Sequence, residues 1–232
     1  MYKYEIRVGY SDVDENKVLR LHSLINYFQN CSTFHSEDCG LGFEYLEREH
    51  RVWILCAWQL NINRLPGVNE RVEVSTCPYE FGGIIGRRNF FLRTLDGELL
   101  VCADSTWTFE NSDTYTPVKI RPQDVEAYVH GEPYDMEYLG RRIPLPDNFE
   151  KREPFAVLYT NLDSNHHVNN GQYIGMAEQF FKGGKTNQLR VEYKKSAKLG
   201  DIIYPLIGER DGKEIIVLGD ETGKPYAVLE RS

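Results

Sequence analysis

One heptapeptide occurs twice in this chain, and the repetition limits its architecture more than any other feature. Tyr10-Ser11-Asp12-Val13-Asp14-Glu15-Asn16 aligns without a gap with Tyr159-Thr160-Asn161-Leu162-Asp163-Ser164-Asn165, sharing the first Tyr, the Asp at the fifth position and the final Asn. The segments downstream of the two copies support a duplication rather than a chance match. After the first, apolar residues at helical spacing (Leu21, Leu24, Ile25, Phe28) precede alternating strand-like runs near 52–62, 70–80, 84–94 and 99–109. After the second, a segment of helical character from about Asn170 to Phe181 precedes runs near 188–197, 201–208, 213–219 and 225–230. Asp96-Gly97, Asp211-Gly212 and Thr222-Gly223 sit between such runs, where tight hairpins need residues that tolerate positive φ. Each half therefore reads as a strand, a helix and four mainly antiparallel strands, an α+β chain of two similar units.

Residues 1–110 form the first unit of this reading and 156–232 the second. Between them, 111–155 carries Pro117, Pro122, Pro133, Pro144, Pro146 and Pro154 and reads as a connector lying along the surface. The second unit is too short to bury enough surface alone, so it is expected to pack on the first. The charged, alternating start Met1-Tyr2-Lys3-Tyr4-Glu5-Ile6-Arg7 reads as a first strand and not as a signal peptide. The longest uncharged apolar-rich stretch, Val52 to Asn63, falls short of a membrane span. A net charge of −8 argues against a nucleic-acid or anionic-membrane binder. Five cysteines, with no Cys-x-x-Cys pair, favour a reducing, cytoplasmic setting and give no metal site.

The segment Asn161 to Tyr173 holds the candidate chemistry. If its first part is extended, Asp163, Asn165 and His167 share one face by strand alternation. Asn169 or Asn170 suits the N-cap of the following helix, and N–H groups near Val168 and Asn169 would face an oxyanion there. An acid, an amide, an imidazole and free donors suit hydrolysis of an activated acyl group. The first copy keeps Asp14 and Asn16 but has Val18 where the second has His167, which predicts one site per chain. The same residues also read as plain turn chemistry, with Asp and Asn side chains bonding nearby backbone, and on residues alone both readings stay open.

Asp163-x-Asn165-x-His167-Val168-Asn169-Asn170, followed by Tyr173 and an amphipathic helix, resembles the signature of the acyl-acyl carrier protein thioesterases, and the tandem layout covers nearly the whole chain. The resemblance implies a tandem (double) hot-dog fold, in which two helix-wrapped, mainly antiparallel sheets form a pseudo-dimer. It implies catalytic roles for Asp163, Asn165 and His167, an acyl-chain pocket shaped by the first half, and no cofactor. It also implies a partner, acyl carrier protein bearing a fatty acyl chain. This chain departs from the family at one place. The family sets an acid and often a Cys a few positions after a Glu-Tyr pair, whereas Glu192-Tyr193-Lys194-Lys195 is followed by Ser196 and Ala197. Either Glu192 or Glu178 replaces that acid or none is needed, and the departure argues against a Cys nucleophile.

Other motifs fall away. Gly184-Lys185-Thr186 has Gln179 where a phosphate loop needs its first glycine. Gly82, Gly83 and Gly86 follow Phe81 rather than a glycine and read as a bend between strands. Gly-x-Ser-x-Gly is absent. Trp53, Trp58, Phe81, Phe90, Phe91, Trp107 and Phe109 read mostly as core, with a minority lining an acyl pocket. Arg190, Lys194, Lys195 and Lys198 form either a solvated face or a docking patch for the acidic carrier protein. The leading expectation is a cytoplasmic thioesterase that hydrolyses fatty acyl-acyl carrier protein. The alternatives are an acyl-CoA thioesterase and a non-catalytic acyl-binding module, and a homodimer is compatible with each.

Overall fold

A computed structural model describes all 232 residues. The first half runs β1 (Tyr2–Arg7), α1 (Leu21–Asp38), α2 (Phe43–Arg48), β2 (Arg51–Ile62), β3 (Arg71–Gly82), β4 (Ile85–Thr94) and β5 (Leu99–Asn111). Two short strands follow the connector, β6 (Glu150–Lys151) and β7 (Phe155–Ala156), then α3 (Asn170–Glu178), β8 (Gln188–Tyr193), β9 (Ile202–Arg210), β10 (Lys213–Gly219) and β11 (Pro225–Arg231). The strands join in one antiparallel sheet ordered β1-β3-β4-β5-β2-β8-β11-β10-β9-β6, with β7 also on β9. The halves meet where β2 pairs β8, Trp58 opposite Val191. This is the α+β double hot-dog arrangement, two sheets fused edge to edge with α1 and α3 on one face.

Both helices form because their apolar residues recur on one stripe. In α1 that stripe is Leu21, Leu24, Ile25, Phe28 and Cys31, all buried. Phe28 packs on Trp58 of β2 and Phe90 of β4, at ring separations of 5.9 and 5.3 Å. Where α3 crosses α1, Gly171 allows close approach: a Cβ there would lie 2.6 Å from Asn26 Oδ1 and 3.2 Å from the His22 carbonyl oxygen. The Gly82-Gly83 segment is the predicted bend, the β3–β4 hairpin, with Gly83 at φ 61°.

The connector first packs against α1 and α2, Tyr128 bonding Ser36 and Asp124 accepting from Tyr45, and then from about residue 134 lies along the outer face of the sheet, opposite the helices. Gln59 donates to the Glu137 carbonyl and accepts from Leu139 N–H, Tyr134 N–H donates to Asn89 Oδ1, and Ile143 N–H donates to Glu192 Oε2. Ile143 packs with Ile215, Val217 and Val228 in a small second core. Proline therefore keeps this segment irregular while side chains on the strands supply the partners its backbone needs. Pro154 likewise separates β6 from β7, leaving in the second half two fragments where the first half has the continuous β1.

Candidate active site

The two copies of the heptapeptide fold alike. Each begins with a single 3-10 turn, Tyr10–Asp12 and Tyr159–Asn161. Each closes with a bridge, Val13 to Leu19 and Leu162 to Val168. In the second copy Asp163 N–H donates to the His167 carbonyl at 2.8 Å, while Asp163 Oδ1 accepts from Asn165 N–H at 2.8 Å and His167 N–H at 3.2 Å. His166 takes positive φ, 60°. The segment is a tight turn and not a strand, which corrects the expectation that alternation sets Asp163, Asn165 and His167 on one face. Asp163 makes four hydrogen bonds within the turn, its carbonyl also accepting from His166 N–H at 3.1 Å, and that local satisfaction outweighs extension.

Beside this turn lies a cavity of about 850 Å³. Its walls come from one side of α1 (Gln29, Thr33, Ser36), from α2, from the ends of β2 to β5, and from the second-half turn. Asp163, Ser164 and Asn165 line it, as do Asn169 and Asn170 at the start of α3. His167 is not a lining residue. Its half-buried ring lies edge-on to Tyr115 at 6.1 Å, and Tyr115 does line the cavity. Asp163 and His167 meet through the His167 amide, with no hydrogen bond between their side chains. The structure thus brings two of the three expected side chains to the cavity wall and sets the third one residue behind it.

The helix start offers a donor, displaced from the expected position. Val168 N–H donates to the Ala197 carbonyl and Asn169 N–H to the Asn161 carbonyl, both at 2.9 Å, so neither is free for a ligand. Asn169 is the N-cap, its Oδ1 accepting from Gly171 N–H at 2.9 Å. The first N–H of α3 without a partner in the protein is that of Asn170. The loop after β8 has used the first of the two preceding donors and the turn itself the second.

Neither replacement acid reaches the cavity. Glu192 is buried on the outer face, taking Ile143 N–H and the Lys194 ammonium. Glu178 caps the opposite helix, its Oε1 accepting from Leu21 N–H at 2.9 Å. Ser196 is exposed, and Ala197 is fully buried with its N–H on Tyr173 Oη. No cysteine lines the cavity; Cys31, Cys56, Cys77 and Cys102 are buried among the strands and α1. Of the aromatic group, Trp53, Phe81 and Trp107 line the cavity, while Trp58, Phe90 and Phe109 are core and Phe91 packs on Tyr134.

Arg190 is removed from the docking patch. It is 7 % exposed, its Nη1 donates to Glu230 Oε1 at 2.7 Å, and its Nη2 donates to the carbonyls of Gly140 and Arg142. Outward alternation on β8 placed it under the connector, where a guanidinium satisfies two carbonyls and a carboxylate. Lys194, Lys195 and Lys198 are exposed, the first two paired with Glu192 and Asp220.

Sequence reasoning missed Tyr115, Tyr128 and Arg88 on the cavity wall. Arg88 is 7 % exposed, lies over the Tyr128 ring at 5.2 Å, and has Nη1 without a partner. Burial holds its guanidinium below the ordinary value. Only contacts between α1, β4 and the connector place it there, and no local motif encodes them. The acid most perturbed by burial, Asp104, is pushed up to about 6 and accepts from Tyr79 Oη on the outer face, away from the cavity.

Comparison with known proteins agrees with this fold. Residues 1–128 match the family profile of the acyl-ACP thioesterase N-terminal domain and 146–220 that of the C-terminal domain. The chain is 23% identical over 221 residues to a chloroplastic acyl-[acyl-carrier-protein] hydrolase of Cuphea viscosissima, covering 88% of this chain and 53% of that one. It is 22% identical to the chloroplastic oleoyl-acyl carrier protein thioesterase 1 of Arabidopsis thaliana, covering 88% and 63%. The chain spans about half the length of the curated relatives it matches. Among solved structures, an acyl-ACP thioesterase from Bacteroides thetaiotaomicron superposes with a TM-score of 0.90 at 22% identity, covering 99% of this chain and 96% of that one. A 12:0-ACP thioesterase from Umbellularia californica superposes with a TM-score of 0.83 at 18% identity, covering 100% and 96%.

Proposed function

We propose that this chain, which belongs to the acyl-ACP thioesterase family, hydrolyses the thioester joining a fatty acyl group to acyl carrier protein, releasing the free acid and the carrier's thiol. The observation that carries the reading is the meeting of a carboxylate, an amide and an open helix start at one cavity wall: Asp163, Asn165 and Asn170. Asp163 has Oδ1 held by two amides, which fixes the carboxyl plane and leaves Oδ2 for water. We assign it the role of taking the proton as water attacks, since a carboxylate in hydrogen-bond reach of water contributes as a general base. Attack by Asp163 itself, through an anhydride, uses the same residue and the same position. Asn165 orients the thioester, and His167, behind the turn and against Tyr115, handles the proton on its way to the leaving sulfur.

The acyl chain enters the cavity between α1, α2 and the strand ends, with Trp53, Phe81 and Trp107 as its apolar wall. The carrier protein, which is acidic, meets Lys194, Lys195 and Lys198, and Arg190 has no part in that contact. No helix is long and apolar enough to cross a membrane. The five unpaired cysteines fit a reducing compartment such as the cytosol.

Thiol release from octanoyl-acyl carrier protein and from octanoyl-CoA, measured at low and high salt, tests the assignment. Faster release from the carrier protein, with salt slowing only that substrate, is expected. Equal rates at all salt concentrations would remove the carrier protein as partner, and no release from either would remove the hydrolase.

A further inference from the structure

The duplication extends past the turn into the helices, and there it is broken. At the offset that aligns the two heptapeptides, Leu21 at the start of α1 corresponds to Asn170 at the start of α3, and Gln29 corresponds to Glu178. At one end of this pseudo-twofold pair the helix start is capped across the interface. Glu178 Oε1 accepts from Leu21 N–H at 2.9 Å, and Glu178 Oε2 lies 3.3 Å from His22 Nδ1. At the other end the cap is missing. Asn170 N–H has no acceptor in the protein, and Gln29 Oε1 is buried without a partner. Both residues line the cavity with Asp163 and Asn165.

The chemistry of the exchange is directional. A carboxylate only accepts, so a Glu at position 29 would close on Asn170 N–H as Glu178 closes on Leu21. A primary amide can donate as well as accept, and here Gln29 Oε1 takes no bond from Asn170 N–H, so that N–H stays open. An open backbone N–H and a side-chain amide able to donate, at one end of a cavity beside a carboxylate able to hold water, match what an oxygen gaining negative charge requires. We propose that Asn170 N–H and the Gln29 side-chain amide together bind the thioester carbonyl oxygen and stabilise the oxyanion, which makes Gln29 a catalytic residue supplied by the first half. As water's oxygen bonds to the carbonyl carbon, its proton passes to Asp163 and the C=O pair moves to the oxygen held by the two donors. The C=O bond then re-forms, the C–S bond breaks, and the thiolate takes up the proton.

This rests on the hydrolase reading, so the test has one arm that needs turnover and one that does not. In the first, Gln29→Glu restores the missing cap: kcat is expected to fall about 10²–10³-fold, the loss typical of one oxyanion donor, with the melting temperature unchanged or raised. The mirror change, Glu178→Gln, is expected to lower the melting temperature and leave turnover near wild type. Full turnover by Gln29→Glu overturns the proposal. In the second arm, the amide NMR resonance of Asn170 is followed while a non-hydrolysable ketone analogue of octanoyl-pantetheine is added. A shift in the wild type that Gln29→Glu abolishes supports the carbonyl site, even if no thioester is cleaved, in which case only the hydrolase reading fails. An Asn170 resonance that stays in place at saturating analogue overturns the site whatever the turnover.

Discussion

The two heptapeptide turns make the same hydrogen bonds and have different surroundings, and that contrast separates what the motif does for the fold from what it does for chemistry. Asp14 Oδ1 accepts from Asn16 N–H and Val18 N–H just as Asp163 Oδ1 accepts from Asn165 and His167. Lys17 takes positive φ as His166 does. The residues the copies share are therefore those the turn needs. The second copy differs in having His167 for Val18, Asn169 for Arg20 as the helix cap, and a cavity against it. That cavity belongs mostly to the first half. With 18 residues, α1 is twice the length of α3 at 9, and its extra turns together with α2 form the far walls. One half supplies the turn and the other supplies the space.

The contrast breaks most sharply at the two aspartates. Asp163→Asn should lower kcat about 10²–10⁴-fold, whereas Asp14→Asn should leave it near wild type, because an amide oxygen still accepts the turn bonds in both. Equal losses in thiol release would mean that both aspartates act only through folding. Next, His167→Val makes the second turn resemble the first. Turnover should drop by roughly 10²-fold with little change in urea midpoint, and Val18→His should gain nothing.

A third test concerns the crossing of the helices. Gly171 corresponds to His22 in the first copy, and a Cβ at Gly171 would press on the His22 carbonyl oxygen and on Asn26. Gly171→Ala should cost about 1–3 kcal/mol, read from urea unfolding, because Asn26 and the α1 backbone must move aside. An unchanged midpoint would show that the crossing is loose.

The smallest expected effect lies in what the first half buries. Burial, then the nearby Arg88 guanidinium, hold the His35 imidazole down to about 4. A histidine depressed in the folded state contributes stability that is complete above its unfolded value near 6.5 and is lost as pH falls through about 4. His35→Leu should flatten that limb by roughly 1–2 kcal/mol, seen as a smaller drop in melting temperature between neutral and acid pH. An identical acid limb in the variant would place the sensitivity elsewhere.

The strands were legible in the sequence because each carries aromatic or β-branched residues between hairpin signals, and their positions agree with the runs read from the sequence to within a few residues in most cases. The short helix α2 was not, since its N-terminal donor is satisfied from a distance, by Glu37 Oε1 on Phe43 N–H. At the site, residue types were legible and geometry was not. Asp163 was found, but the turn that fixes it, the bonds that consume the donors at Val168 and Asn169, and the burial of Arg190 all depend on partners remote in sequence or on competition between local hydrogen bonds. Gln29 carried no local signal. It becomes visible only when its counterpart across the pseudo-twofold axis is known.

The pairing of β2 with β8 ties these observations together. Two copies encoded separately would meet only as concentration allowed, and every substitution in one would appear in the other. Joined in one polypeptide, the partners meet at a fixed ratio and at an effective concentration set by the tether, however dilute the solution. Each copy is then free to change alone. A glutamate on one side can stay while its twin becomes glutamine, and a valine can stand where its twin is histidine, changes that a dimer of identical subunits would have to accept at both positions or at neither.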